Sequence, residues 1–170
     1  MRHILSILLQ NEAGALARVS GMFSARGYNI ESLTVAPTHD PTVSRLTLVT
    51  TGSDAVIDQI VKQSRKLVDV VEVADLTARE HLECELLLIK VQVNGQGAKP
   101  LVEAVRRYRG QILDESENTR TVQLTGTGLE ISDFIKEVQG LAHILEVVRS
   151  GAAAIEPGRA VLGAHVERAA

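Results

Sequence analysis

Asn11 and Gly14 return 83 residues later as Asn94 and Gly97, and Arg26-Gly27 returns at the same interval as Arg109-Gly110. Further along, "LVDVVEV" from Leu67 reappears as "LAHILEV" from Leu141, now at an interval of 74. Matches that fall at equivalent joints of one element order indicate a duplicated supersecondary unit. The chain therefore has to be read twice, and each reading has to give the same fold.

Hydrophobic periodicity supplies that fold. In the first half, Ile4 to Leu9 reads as a strand and Ala15 to Arg26 as a helix carrying Leu16, Val19, Met22 and Phe23. Ile30 to Ala36 and Val43 to Thr51 alternate as strands around the turn residues 37–41. Asp54 to Lys66 reads as a helix with Ser53 as its N-cap, and Val68 to Val73 as a β-branched strand. In the second half, Leu86 to Val93 is a strand, and Leu101, Val102, Val105 and Tyr108 form a helical stripe. Short strands follow at Gln111 to Leu113 and Thr121 to Thr125. A second helix carries Ile131, Phe134, Ile135, Val138 and Leu141, with capping-box spacing between Thr127 and Glu130. Ile144 to Val148 closes the repeat. Both halves read βαββαβ, which predicts an α+β protein of two ferredoxin-like sandwiches. The expected domains are 1–77 and 81–155, followed by a tail 156–170 that reads as disordered or as a short docking helix.

Two half-length domains within 170 residues each bury a smaller fraction of their surface than one large domain would, so copies are expected to associate. The net charge is −3 with no block of one sign, which argues against nucleic acid. Two Phe, two Tyr and no Trp leave almost nothing for base stacking. The single cysteine, Cys84, forms no intrachain disulfide and fits a reducing compartment. The apolar run at the N-terminus is too short for a signal peptide or a span, so the reading is cytoplasmic, without membrane contact.

Catalytic chemistry finds no foothold. His3, His39, His81, His143 and His165 are scattered, and neither HExxH nor CxxC occurs. Strand alternation puts His81, Glu83 and Glu85 on one side and Cys84 on the other. A solvated strand start explains them better than a metal site, and Cys84 reads as structural. "GQGAK" at 95–99 is too short for a phosphate loop. An acylphosphatase-like enzyme shares βαββαβ, but it needs a basic residue in the first strand-to-helix loop. Here that loop is Asn11-Glu12-Ala13-Gly14. No catalytic residue and no metal ligand is expected.

The same loop suits binding. A helix start offers free amides and a positive dipole end to a carboxylate. Gly14 permits close approach, the Asn11 amide can accept from an ammonium, and Leu16 adds apolar surface. Acid, amine and aliphatic group together describe a small amino acid. The competing reading is that Asn11 and Gly14 only shape a turn, and spacing leaves both open. Gly27 and Asn29 pose the same choice after the first helix.

The residues N-E-x-G-x-L-x-R-V at 11–19, R-G-Y-N-I-x-S-L-T-V at 26–35 and "KLVDV" at 66–70 resemble the regulatory small subunits of acetolactate synthase (acetohydroxyacid synthase). "RGQILD" at 109–114 and "VVRSG" at 147–151 extend the resemblance to all but the tail. It implies an ACT domain in the first half, the amino-acid sensing module, and a degenerate partner in the second. It implies no catalytic centre and no cofactor in this chain. Thiamine diphosphate, FAD and magnesium would belong to a catalytic large subunit, the partner that this chain would activate and make sensitive to L-valine. It further implies a homodimer through the ACT domain with valine at the joint. Asn11, Gly14, Ala15 and Leu16 of one chain would face Asn29 and Ile30 of the other. The second copy lacks an Asn29 equivalent and has Pro100-Leu101 after its glycine, which does not favour a second valine site. The alternative is a free-standing ACT-type regulator of another partner, although no DNA-binding helix pair or basic patch accompanies it.

Overall fold

A computed structural model describes residues 1–94 and 98–163; Gly97 of the second loop and His165 lie outside the described residues. The chain forms two compact units, Met1–Leu82 with Ala153–Ala170, and Glu83–Ala152.

The first unit runs β1 (Arg2–Gln10), α1 (Ala15–Ala25), β2 (Ser32–Pro37), β3 (Val43–Thr51), α2 (Asp54–Ser64) and β4 (Val70–Asp75). Its sheet has the order β2-β3-β1-β4, antiparallel throughout. Alternation directs Leu5, Ile7 and Leu9 of β1 and Leu46 and Leu48 of β3 to one face. There they meet Val19, Met22 and Phe23 of α1 and Ile57 and Ile60 of α2. Each such fully buried side chain stabilises the unit by roughly 1.5–3 kcal/mol. This core fixes α1 over the sheet and so fixes the loop between β1 and α1. Phe23 also meets Tyr28 edge to face at 6.1 Å, which seats the segment leading to Asn29.

The second unit repeats the plan with β5 (Leu82–Gln92), α3 (Ala98–Arg107), β6 (Gln111–Glu115), β7 (Thr119–Gly126), α4 (Gly128–Gln139) and β8 (His143–Arg149). Its strands pair in the order β6-β7-β5-β8. Leu87, Ile89, Val91, Val122 and Leu124 meet Leu101, Val105, Ile131, Phe134 and Val138 in its core. The fold is thus the α+β, twice-repeated ferredoxin-like sandwich that the periodicity predicts.

The details depart from the sequence reading at several places, and β5, read from Leu86, already starts at Leu82. Strand β4 starts at Val70 and not at Val68, because Leu67 and Val70 close successive turns after α2 and leave Val68 81% exposed. Strand β2 starts at Ser32 and not at Ile30. The Thr127–Glu130 capping box forms as spaced, whereas Ser53 stands at the N-cap of α2 without a side-chain bond. A short β9 (Ala153–Ile155) was not foreseen, and the described tail after it forms turns instead of a helix. The Gly163 amide donates to Glu72 Oε2 at 2.6 Å, and Glu156 accepts from Arg79 at 2.9 Å.

The repeated Arg-Gly pair is used differently in the two units. In the first, Gly27 takes the left-handed conformation at φ 68°. In the second, Arg109 takes it at φ 58°, and Gly110 is needed for clearance, since a Cβ there would lie 2.9 Å from the Gln123 carbonyl.

Candidate ligand loop

The loop between β1 and α1 is held at both ends by backbone bonds. Gln10 N donates to the Asp69 carbonyl at 2.8 Å, and Asn11 N to the Thr42 carbonyl at 2.7 Å. The Asn11 side chain then reaches across to the β2–β3 hairpin. Its Nδ2 donates to the Pro41 carbonyl at 2.9 Å, and its Oδ1 accepts from Ser44 Oγ at 3.0 Å. The hairpin is itself tied by Asp40, whose carboxylate accepts from the Thr42 amide and hydroxyl and is thereby held below the usual carboxylate range. Asn11 therefore does shape a turn. An amide carries two donors and two acceptor positions, so half its capacity stays open toward solvent.

Gly14 is the N-cap of α1 at φ 90°, a conformation glycine takes without steric cost. No side chain caps the helix. Its first intrahelical bond runs from Arg18 N to the Gly14 carbonyl, so the Leu16 and Ala17 amides precede the ladder and point out of the helix start. Ala15 is buried, while Leu16 is 38% exposed. Leu9, Gln10, Asn11, Glu12, Ala15 and Leu16 of β1, the loop and α1, with Val35, Ala36, Pro37 and Ser44 of the β2–β3 hairpin, line a cleft of about 230 Å³. Its apolar wall and amide rim suit a small ligand with one aliphatic group.

Asn29 and Ile30 are elsewhere. The Asn29 carbonyl accepts from Thr50 Oγ1 at 2.6 Å, at the far end of β3 from Ser44. Six residues of strand separate these anchors, about 20 Å at a strand rise of roughly 3.3 Å per residue. One chain brings Asn11, Ala15 and Leu16 together around the cleft, with Gly14 beside it, and leaves Asn29 and Ile30 apart from them.

The sequence reading passed over two further residues. Arg18, one turn into α1, forms a two-point ion pair with Asp69: Nε meets Oδ2, and Nη2 donates to Oδ1 at 2.7 Å. The Asp69 side chain is 5% exposed. The hydrogen bonds from Arg18 hold the Asp69 carboxyl low, and Asp69 raises the guanidinium in turn. A signal did exist. A cation in the first turn of a helix opposes the dipole and calls for a nearby anion.

The second unit offers a different charge pattern. Glu85 is buried and accepts from Arg149 at two points, 2.6 and 2.9 Å. Glu83 accepts from the Gly128 amide at the start of α4. The reading of this stretch as a solvated strand start is corrected for these two carboxylates, while Cys84 does face solvent. His3 is buried with Asp54 and Asp75 oxygens each 3.7 Å from its ring. Among the described residues, no three His, Cys, Asp or Glu side chains form a metal-holding group, and no helix is long and apolar enough to cross a membrane.

The family of AHAS small subunit-like ACT domains matches residues 5–72, and the family described as the small subunit of acetolactate synthase matches 84–158. The Escherichia coli K12 acetolactate synthase isozyme 3 small subunit is 48% identical over 162 residues, covering 95% of this chain and 99% of that one. The chain belongs to the acetolactate synthase small-subunit family. The Haemophilus influenzae small subunit is 46% identical over 93% of this chain and 97% of its own length. The crystal structure of the Thermotoga maritima small subunit superposes with a TM-score of 0.84 at 32% identity, covering 94% and 99% of the two chains. The ACT fold of this small-subunit family is that of a regulatory chain, and the cleft between Leu9 and Pro37 lies within its ACT domain.

Proposed function

We propose that this chain is the regulatory subunit of acetolactate synthase in branched-chain amino acid biosynthesis: it binds the catalytic large subunit, raises its activity and confers feedback inhibition by L-valine. The condensation chemistry, with thiamine diphosphate, FAD and magnesium, resides in the large subunit. The complex works in the cytoplasm. The observation that carries the reading is the β1–α1 loop. It presents an amide with spare capacity, a left-handed glycine and two helix-start amides beside a partly aliphatic cleft, and residues 11–14 include no Ser, Thr, Cys, His or Lys.

Valine would place its carboxylate at the helix-start amides, its ammonium at Asn11 and its side chain against Leu16 and Val35. The remaining contacts, from Asn29 and Ile30, come from a second chain. β2 is an edge strand with half-exposed Leu33 and Val35, suited to pairing with another copy. Valine then favours one arrangement of the dimer, and that arrangement activates the large subunit less. A coupling of about 1–3 kcal/mol suffices for a 5- to 150-fold effect.

The test is co-purification with the large subunit followed by titration of acetolactate formation with valine. Capture, activation and valine inhibition together are expected. A chain that binds valine but fails to capture the large subunit would instead be a free-standing ACT-type regulator.

A further inference from the structure

We propose that Arg18 and Asp69 are the positioning pair of the ligand loop, holding it in the geometry that valine requires; the inference rests on the valine reading above. Three observations place the pair there. Asp69 holds both flanks of the loop, its carbonyl accepting from Gln10 N before it and its carboxylate accepting from Arg18 after it. Arg18 braces Gly14, since a Cβ on Gly14 would lie 3.0 Å from Arg18 Nη1. The Asn11 bonds to Pro41 and Ser44 fix the opposite side of the loop, so it is held from two directions.

The duplicated unit separates this role from folding. The interval of 83 carries Arg18 onto Leu101, and the interval of 74 carries Asp69 onto His143. Leu101 is fully buried in the second core, and His143 is exposed. The same βαββαβ plan therefore stands with a leucine at this joint and no ion pair. The Arg18 side chain is 46% exposed, and an ion pair open to water on one side contributes little to stability, so a fold alone does not demand the pair. Both units have a cleft beside their repeated Asn, but the one beside Asn11 carries Leu9, Leu16 and Val35, whereas the one beside Asn94 is lined by Gln92, Gln139, Leu141, Ala142 and His143. Arg18 also sits where the helix dipole disfavours a cation, and Asp69 offsets that. The arrangement makes sense as a means of fixing the loop backbone.

The experiment uses the full chain in complex with its large subunit. Asp69→Asn keeps the shape and removes the charge. The double variant Arg18→Leu with Asp69→His copies the second unit's solution. Both are compared with wild type by L-valine calorimetry, by thermal melting, and by amide exchange of residues 11–17. A merely structural role predicts that the double variant, if it melts like wild type, also binds valine like wild type. The positioning role predicts valine affinity at least about tenfold weaker, with faster exchange confined to the loop. Arg18→Lys, which keeps the charge but loses the two-point geometry, should fall between the two. If the double variant fails to fold, Asp69→Asn decides the question. Unchanged affinity and loop exchange in a folded variant would overturn the pair's role and leave the valine reading standing. A wild-type complex that binds no valine would overturn both.

Discussion

Asn11 and Asn29 stand at opposite ends of one strand, Asn11 held by Ser44 and Asn29 by Thr50 of β3. No side-chain movement joins them across about 20 Å of sheet. If both contact one ligand, they do so from different chains. Asn11→Ala and Asn29→Ala should each weaken valine binding by about tenfold or more. Mixed dimers of the two variants should regain one intact pocket. Calorimetry on the mixture checks this, and recovery of no sites would remove the interface model.

Gly14→Asp should abolish valine binding. The new carboxylate would lie against Arg18 and the helix-start amides, where it takes the place of the ligand's own carboxylate. Left-handed strain alone costs about 1–2 kcal/mol for a residue with a Cβ. Gly14→Ala carries that strain without the charge and should retain weakened binding. Equal losses in the two variants would assign the effect to strain alone.

The ion pair between Arg18 and Asp69 should resist mild acid. Asp69 titrates below the usual carboxylate range, first because of the Arg18 hydrogen bonds. A group with a lowered folded value contributes stability above its unfolded value and loses it only as pH falls through the folded one. Loop protection, corrected for intrinsic exchange, should therefore stay level from pH 7 to about pH 5. Loss of protection between pH 7 and 6 would contradict the assignment.

In the second unit, Arg149→Ala leaves the buried Glu85 carboxylate without its two-point partner. The cost should fall below the roughly 3–5 kcal/mol of a fully buried pair, because the Arg149 side chain is 39% exposed. Urea unfolding measures it, and a loss under about 0.5 kcal/mol would show that water replaces the pair.

The helix caps give a matched comparison. Thr127 accepts from the Glu130 amide in a complete capping box, and Ser53 makes no such bond. Thr127→Ala should cost about 1 kcal/mol. Ser53→Ala should cost a few tenths at most. Thermal melts of the two variants decide it, and equal losses would contradict the difference in capping.

Much of this was legible in order. Period-two and period-3.6 patterns placed the paired sheets and the helices, because each element has to bury one face and the spacing of apolar residues says which. The exceptions have local causes. Val68 and Asp69 fall within the stretch read as a β-branched strand, yet a turn after α2 takes them and directs Asp69 inward to Arg18. Glu85 looks like a surface acid until Arg149, 64 residues away, covers it.

By itself, the sequence determined the duplicated βαββαβ plan, the loop at Asn11 to Gly14 without Ser, Cys, His or Lys, and the family. Each of these is a local pattern or a string of letters. Only the tertiary structure decided that Asn11 is half-occupied by the β2–β3 hairpin, that Arg18 and Asp69 grip the loop, and that Asn29 stands a sheet-length away. Those are relations between residues 21 to 51 positions apart. Strand register and helix packing set such distances, and no spacing along the chain encodes them.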